Sequence, residues 1–207
     1  MKSTFICLLS LTAVLTVSCS KQQPAEKAKV APANETAPAE FKVNFDTTRG
    51  SVIVDITRVS APIGVDRFYN LVKAKYFDGA RFFRVVPGFV VQFGIAADPK
   101  VTAAWDVPVQ DDPVLVSNKR GTLAFASAGP NTRTTQLFIN LVNNTDKLDP
   151  QHFSAFGSVV SGMDNVDQIY SGDGQKPEQP RIESEGNAYL EKEFPHLDYI
   201  KTARIVP

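Results

Sequence analysis

One arginine stands inside the otherwise apolar stretch FFRVVPGFVVQFG, residues 82–94 of a 207-residue chain. Arg84 carries a permanent charge, and Gln92 is the other polar side chain of the stretch. A guanidinium stays protonated in proteins and presents its N–H donors in a rigid planar fork. A donor of this kind is worth most where water is excluded. Arg84 is therefore the first candidate for chemistry, as a fixed hydrogen-bond donor beside an apolar surface.

A second stretch, GTLAFASAGPNTRTTQLFINL at residues 121–141, completes the pattern. Together the two stretches resemble the motifs of the cyclophilin-type peptidyl-prolyl isomerases, and the resemblance runs from about residue 41 to the last strand. The first motif is carried by Phe82, Arg84, Pro87, Gly88, Phe89, Gln92 and Gly94. The second is carried by Ala126, Ala128, Gly129, Pro130, Asn131, Thr132, Gln136, Phe138 and Ile139, with Leu137 where the family has Phe.

The resemblance implies a non-covalent reaction on X-Pro bonds. Rotation about an amide has a barrier of ~18–20 kcal/mol, so X-Pro bonds interconvert slowly without a catalyst. A prolyl nitrogen that becomes pyramidal in the half-rotated amide can accept a hydrogen bond, whereas the planar nitrogen cannot. A donor aimed at that nitrogen stabilises only the twisted form, which is what catalysis requires. Arg84 is the expected donor.

The same resemblance assigns the residues around the arginine. Phe89 and Gln92 would act with Arg84, and Gln92 would either orient the guanidinium or contact the substrate carbonyl. The proline pocket and peptide groove would be formed by Phe82, Phe89, Val90, Ala126, Ser127, Ala128, Gln136, Phe138 and Leu148. Each assignment has a simpler alternative: Arg84 paired with a carboxylate, the Phe side chains as core, and the glutamines as ordinary polar groups.

The segment DKLDPQHFSAFG, residues 146–157, departs from the family pattern. The family often has a Trp before "LD" and a His after it, and here Lys147 stands at or near the Trp position. Counting forward from Asp149 places His152 near the family's His position, whereas counting back from Phe156 places Phe153 there. A surface His152 is a further possibility. Family members bind the cyclic peptide cyclosporin partly through that indole, which offers a large flat surface and an N–H donor. We therefore expect weak cyclosporin binding.

The elements that must position these residues follow from hydrophobic patterning. Residues 41–56 alternate as two strands around the turn TTRGS, and a helix follows with Pro62 in its first turn. Further strands are expected at 81–86, 89–94, 121–127, 136–142, 153–160 and 199–206, with a short helix at 162–172 and Trp105 in a long loop. Many short strands with two helices predict a mainly β fold, namely a closed eight-stranded antiparallel β-barrel capped by two α-helices.

The first 39 residues predict targeting and attachment. Residues 1–18 have one positive charge and an apolar run too short to span a bilayer comfortably, which is typical of a signal peptide. A leader that ends on Cys19 resembles that of a bacterial lipoprotein, although an ordinary signal peptide is the alternative. Residues 19–39 are rich in Ala, Pro, Lys and Glu, so we expect a lipid-anchored flexible linker. The isomerase domain would then span residues 40–207 on the periplasmic or cell-surface side of a bacterial membrane.

Composition excludes several function classes. Lys and Arg total 22, equal to Asp and Glu, so a basic nucleic-acid-binding face is not expected. Cys7 and Cys19 are the two cysteines and His152 and His196 the two histidines, so neither thiolate catalysis nor a zinc site is expected. No cofactor is implied, because the turn GDGQ at residues 172–175 is not a nucleotide motif. We expect a monomer acting on secreted or unfolded polypeptides, with a proline-peptide-binding chaperone and an adhesion scaffold as alternatives.

Overall fold

The structure, a computed structural model, describes residues 34–207. Its β-strands are β1 Glu40–Thr47, β2 Gly50–Thr57, β3 Arg84–Val86, β4 Val90–Phe93, β5 Thr122–Phe125, β6 Leu137–Asn140, β7 Ala155–Ser161 and β8 Ile200–Val206. Its helices are α1 Pro62–Lys73, α2 Pro99–Trp105, α3 Thr145–Leu148, α4 Met163–Asp167, α5 Gln179–Glu185 and α6 Asn187–Glu193. The predicted signal peptide, Cys19 and the linker up to residue 33 lie outside the described residues.

All eight strands form one antiparallel sheet in the order β3-β4-β6-β5-β7-β2-β1-β8. The mainly β class and the eight antiparallel strands are therefore confirmed. The closed barrel is wrong, because within residues 34–207 no ladder joins the two edge strands β3 and β8. The segments that lead into them are linked by an isolated bridge between Arg81 and Tyr199 and by backbone hydrogen bonds, among them Phe82 N–H to the Asp198 carbonyl at 3.0 Å. The sheet is therefore a curled half-barrel.

Alternation along the strands places the core inside this curl. Successive strand side chains point to opposite faces, so β1 and β2 bury Val43, Phe45, Val52, Val54 and Ile56. Helix α1 covers that face, and the apolar side predicted for it, Val65, Phe68, Leu71 and Val72, is buried as expected. Phe68 contacts the rings of Phe45, Phe77 and Phe156 with centroids 5.3–6.2 Å apart. Aromatic packing between α1 and the sheet therefore forms the centre of the core.

The helix count is larger than the two helices predicted. Residues 99–105, expected as a loop, form α2, which begins with Asp98 accepting a hydrogen bond from the Lys100 N–H at 2.8 Å. An Asp followed by Pro99 is a common way to start a helix, so a signal for α2 was present in the sequence. Trp105 ends this helix and is buried against Tyr76, with ring centroids 6.2 Å apart. Helices α5 and α6 were likewise not predicted.

The end of the predicted linker contacts the domain. The Ala37 N–H donates to Asp66 Oδ1 at 2.8 Å, and Asn70 Nδ2 donates to the Glu35 carbonyl at 2.8 Å. Ala37 is buried in the core. Ala37 and Glu35 are thus hydrogen-bonded to side chains of α1. Among the described residues, no helix has the length and apolar character that crossing a membrane would require.

Candidate active site

Strand pairing explains why a charged residue follows two phenylalanines. In β3 and β4, Arg84 lies opposite Gln92, and in β4 and β6, Gln92 lies opposite Phe138. Ala124 on β5 lies opposite Phe138 in turn. These four side chains form one row on the outer face of the sheet, whereas Val85, between Arg84 and Val86, points into the core. Arg84 is thus at an outward position of a strand whose inner side is apolar.

A cleft of about 560 Å³ lies over this row. Its lining residues are Arg84, Phe89, Val90, Gln92, Asp106, Ala126, Ser127, Ala128, Thr132, Thr134, Gln136, Phe138, Leu148, Gln151, Phe153, Gln179 and Glu183. The structure therefore brings together the predicted residues from three separate stretches of the chain. The volume lies within the range usual for small ligand sites, roughly 300–1,000 Å³.

The floor of the cleft is apolar and largely buried. Val90, Phe138 and Leu148 belong to one buried apolar cluster, with Phe89 and Phe153 packed at its edge. The Phe138 and Phe153 rings meet edge to face, with centroids 5.7 Å apart. Edge-to-face packing is a preferred geometry of aromatic pairs. The floor therefore offers a preformed apolar surface beside the guanidinium.

Two acceptors hold the Arg84 side chain. Its Nη1 donates to Gln92 Oε1 at 3.0 Å, and its Nε donates to Gln175 Oε1 at 2.8 Å. Its Cζ also lies 5.8 Å from the centroid of the Phe89 ring, within cation–π range. Burial lowers the pKa of the guanidinium from its usual value. No carboxylate among residues 34–207 forms an ion pair with Arg84, so the alternative of a strand arginine paired with an acid is not what the structure shows.

A chain of amides continues from Arg84 across the cleft. Gln92 Nε2 donates to Gln136 Oε1 at 2.8 Å, and Gln136 Nε2 lies 3.4 Å from Glu183 Oε1. Burial, and then the nearby charge of Asp106, raise the pKa of Glu183 above its usual value. The cleft therefore has an arginine at one end and two carboxylates at the other.

Two predicted residues lie elsewhere. Phe82 is buried in the main core against Phe93, with ring centroids 5.4 Å apart, and does not line the cleft. It lies two residues before Arg84 and outside β3, so the alternation of that strand does not specify the direction of its side chain. His152 is exposed with φ +65°, and the next residue, Phe153, lines the cleft instead. Of the two alternatives at this position, the geometry favours Phe153.

The cleft also includes residues that the sequence did not indicate: Asp106, Thr134, Gln151, Gln179 and Glu183. Asp106 follows α2 and Glu183 lies on α5, both of them helices that patterning missed. Thr132, a residue of the second motif, lines the cleft as well. Its Oγ1 accepts from the Ala128 N–H at 2.9 Å and so shapes the loop along one wall of the cleft.

The backbone explains why position 94, the last of the first motif, is a glycine. Its φ is +103°, which L side chains rarely adopt. A Cβ at this position would also lie 2.5 Å from the Thr135 carbonyl oxygen. The glycine thus allows β4 to end against the residues that lead into β6.

An antiparallel sheet whose outer face carries a cleft, with one arginine beside an apolar floor, defines the class of site that this chain presents. A family model described as "Cyclophilin type peptidyl-prolyl cis-trans isomerase/CLD" matches residues 42–186. The peptidyl-prolyl cis-trans isomerase ppi1 of Schizosaccharomyces pombe is 38% identical over 128 residues, 58% of this chain and 79% of that protein. A peptidyl-prolyl cis-trans isomerase of Acinetobacter baylyi is 34% identical over 142 residues, 64% of this chain and 73% of that protein.

Solved structures show the same fold. The structure of a cyclophilin type peptidyl-prolyl cis-trans isomerase of Cryptosporidium parvum matches with a TM-score of 0.63 at 21% identity. The matched region covers 81% of this chain and 98% of the C. parvum chain. The chain belongs to the cyclophilin-type peptidyl-prolyl cis-trans isomerase family, and its class of activity is that of a peptidyl-prolyl isomerase.

Proposed function

We propose that Arg84 catalyses the isomerisation of X-Pro bonds by donating a hydrogen bond to the prolyl nitrogen of the half-rotated amide. The amide loses its conjugation as it twists, and its nitrogen lone pair becomes an acceptor. No covalent bond forms or breaks. The observation that carries this proposal is the position of Arg84 on the cleft, next to the apolar floor and held through two of its nitrogens. Its third nitrogen, Nη2, makes no hydrogen bond to residues 34–207.

The apolar floor would hold the pyrrolidine ring while the preceding carbonyl turns. Phe89, Val90, Phe138, Leu148 and Phe153 provide the surface for it. These side chains also exclude water, which strengthens the hydrogen bond from Arg84 in the transition state. A solved structure of the C. parvum protein in the presence of the dipeptide Ala-Pro supports a site for proline in this fold.

Gln92 would orient the arginine rather than contact the substrate carbonyl. Its Oε1 accepts from Arg84, and its Nε2 donates to Gln136. Both ends of the amide are therefore engaged within the site. The substrate backbone would lie along Ala126, Ser127 and Ala128, which follow β5 and form one wall of the cleft.

The test is a proline-peptide assay on the Arg84→Ala protein, with peptide affinity measured in parallel. A hydrogen bond from a charged donor contributes about 1.5–3 kcal/mol, and each ~1.4 kcal/mol is tenfold in rate. We therefore expect kcat to fall about 10- to 100-fold with the peptide Kd nearly unchanged. The matched control is Arg204→Ala, an arginine on β8 that pairs with Asp78 at 2.7 Å. Small and equal effects on rate and affinity would instead support a proline-peptide-binding chaperone.

We further propose that the enzyme is a bacterial lipoprotein that acts on secreted or unfolded polypeptides outside the cytoplasm. The support is the sequence of residues 1–19, an apolar leader that ends on Cys19. Lipidation of that cysteine would attach the domain to the membrane surface. Mass spectrometry of the membrane-extracted protein tests this: an acylated Cys19 at the N-terminus is the expected result. An unmodified chain that begins elsewhere would refute the anchor and leave the isomerase untouched.

A further inference from the structure

The turn GDGQ, residues 172–175, lies next to the edge of the sheet. The Gly174 N–H donates to the Ser171 carbonyl and the Lys176 N–H to the Asp173 carbonyl, each at 3.0 Å. Gly174 has φ +56°, in the left-handed region that favours glycine. These bonds define a compact turn between α4 and α5, and Gln175 follows directly after its glycine.

This turn is hydrogen-bonded to β3. The Val85 N–H donates to the Gly174 carbonyl at 3.0 Å. Strand β3 is at the end of the sheet order, so its outer side has backbone groups that need partners. The bond to Gly174 satisfies one of them at the residue next to Arg84. The backbone of Gln175 is therefore positioned beside the arginine by an independent contact.

The Gln175 side chain completes the support of the guanidinium. Its Oε1 accepts from Arg84 Nε at 2.8 Å, while Gln92 Oε1 accepts from Nη1 at 3.0 Å. A guanidinium is planar, so bonds to two of its nitrogens fix the plane and the direction of the third. With Gln92 alone, the group could still turn about that single bond. Gln175 itself does not line the cleft.

We propose that Gln175 is a positioning residue for the isomerase reaction, which holds Arg84 so that Nη2 meets the prolyl nitrogen. The proposal rests on the function proposed above for Arg84. A displaced donor loses rate because catalysis depends on the geometry of the reacting groups. Since Gln175 is exposed, water can take part of its place, and the loss is smaller than for removal of Arg84 itself.

Steady-state kinetics of three variants test the role. Gln175→Ala is expected to lower kcat about 3- to 10-fold and to change KM less than twofold, because positioning acts in the transition state. Gln175→Glu keeps an acceptor oxygen at the same reach and should retain most of the wild-type kcat. Lys176→Ala is the matched control: it removes an exposed side chain of the same turn that contacts Asp173 at 3.9 Å, not Arg84. Its kcat should be unchanged.

A spectroscopic readout separates positioning from general damage. The Nε proton of Arg84 should give a slowly exchanging signal in ¹H–¹⁵N NMR spectra, assigned by its absence in Arg84→Lys. Gln175→Ala should broaden or remove this signal, and Gln175→Glu should keep it. The thermal midpoint of each variant, measured under the same conditions, should stay near that of the wild type.

The outcomes distinguish the two proposals. If Arg84→Ala keeps its kcat, the function proposed for Arg84 is wrong. If Arg84→Ala loses kcat while Gln175→Ala keeps both kcat and the Nε proton signal, only the role of Gln175 is overturned. A Gln175→Glu protein as slow as Gln175→Ala would also overturn it, because the acceptor oxygen would not be what matters. Loss of rate and signal in Gln175→Ala, restored in Gln175→Glu, supports it.

Discussion

The wall of the cleft is fastened to the start of α1 by a buried ion pair, and breaking that pair should destabilise the whole domain. Asp112 accepts from the N–H groups of Ile63 and Gly64 at 3.0 and 2.8 Å. It also accepts from Arg133 Nη2 at 3.0 Å. The Asp112 side chain is 1% exposed and that of Arg133 4%. Arg133 directly follows the motif residue Thr132, so the pair ties the motif loop to the helix.

The expected magnitude follows from this burial. Removing one partner of a buried pair costs about 3–5 kcal/mol, because the other charge is left without compensation. In Asp112→Ala, Arg133 keeps Asp111, whose Oδ1 lies 3.1 Å from its Nε. We therefore expect the lower end, about 3 kcal/mol. For a domain of this size that corresponds to a fall in Tm of about 6–12 °C.

Urea unfolding followed by fluorescence is the assay, with two comparison proteins. Glu185→Ala breaks an exposed pair, with Arg181 Nε 2.8 Å from Glu185 Oε1, and should change the free energy of unfolding very little, because solvent screens exposed ion pairs. The double variant Asp112→Ala, Arg133→Met removes the buried charge that has lost Asp112 and should be more stable than Asp112→Ala alone. An Asp112→Ala protein no less stable than the Glu185→Ala control would refute the reasoning, as would a double variant less stable than the single one.

Three further outcomes are expected. Asp198→Asn should make the free energy of unfolding depend less on pH at acidic pH. Burial raises the pKa of Asp198, but hydrogen bonds from Thr48, the Tyr170 N–H and Arg49 outweigh this effect and lower the pKa. The stabilisation by this carboxylate is therefore present above its unfolded pKa of about 3.9 and is lost as pH falls through the lower folded pKa. Urea unfolding from pH 7 to 2 measures this loss. The pH profile of kcat/KM should be flat between about pH 6 and 9, because an arginine donor stays charged there, and a bell shape in the peptide assay would contradict this. Cyclosporin should bind weakly, and Lys147→Trp should tighten its Kd at least about tenfold by adding a flat apolar ring, as calorimetry can show.

Much of the site was accessible from the sequence because its residues lie in two continuous motifs. Arg84 and Gln92 are eight residues apart, and a short turn between two strands brings such residues opposite each other. The apolar neighbours of Arg84 also indicated a dry surface. The exceptions, Phe82 and His152, lie at the ends of strands and turns, where alternation no longer specifies the direction of a side chain.

The sequence did not indicate how the sheet ends or what lies beside the arginine. Closure of a barrel depends on pairing between β3 and β8, which are more than 100 residues apart, and local patterns do not encode such a register. Gln175 is 91 residues from Arg84, and the sequence indicates it only as part of a turn. Its contact exists because the turn is hydrogen-bonded to the edge of β3.

The amino-acid sequence by itself determined the family, the mainly β class, the candidate donor and most of the apolar floor, since each depends on residues close together in the chain. The tertiary structure decided the open sheet, the choice of Phe153 over His152 for the cleft, and the second acceptor on Arg84. These features arise from long-range packing, in which the backbone of one segment fixes the position of another. Short-range propensities carry no information about that placement.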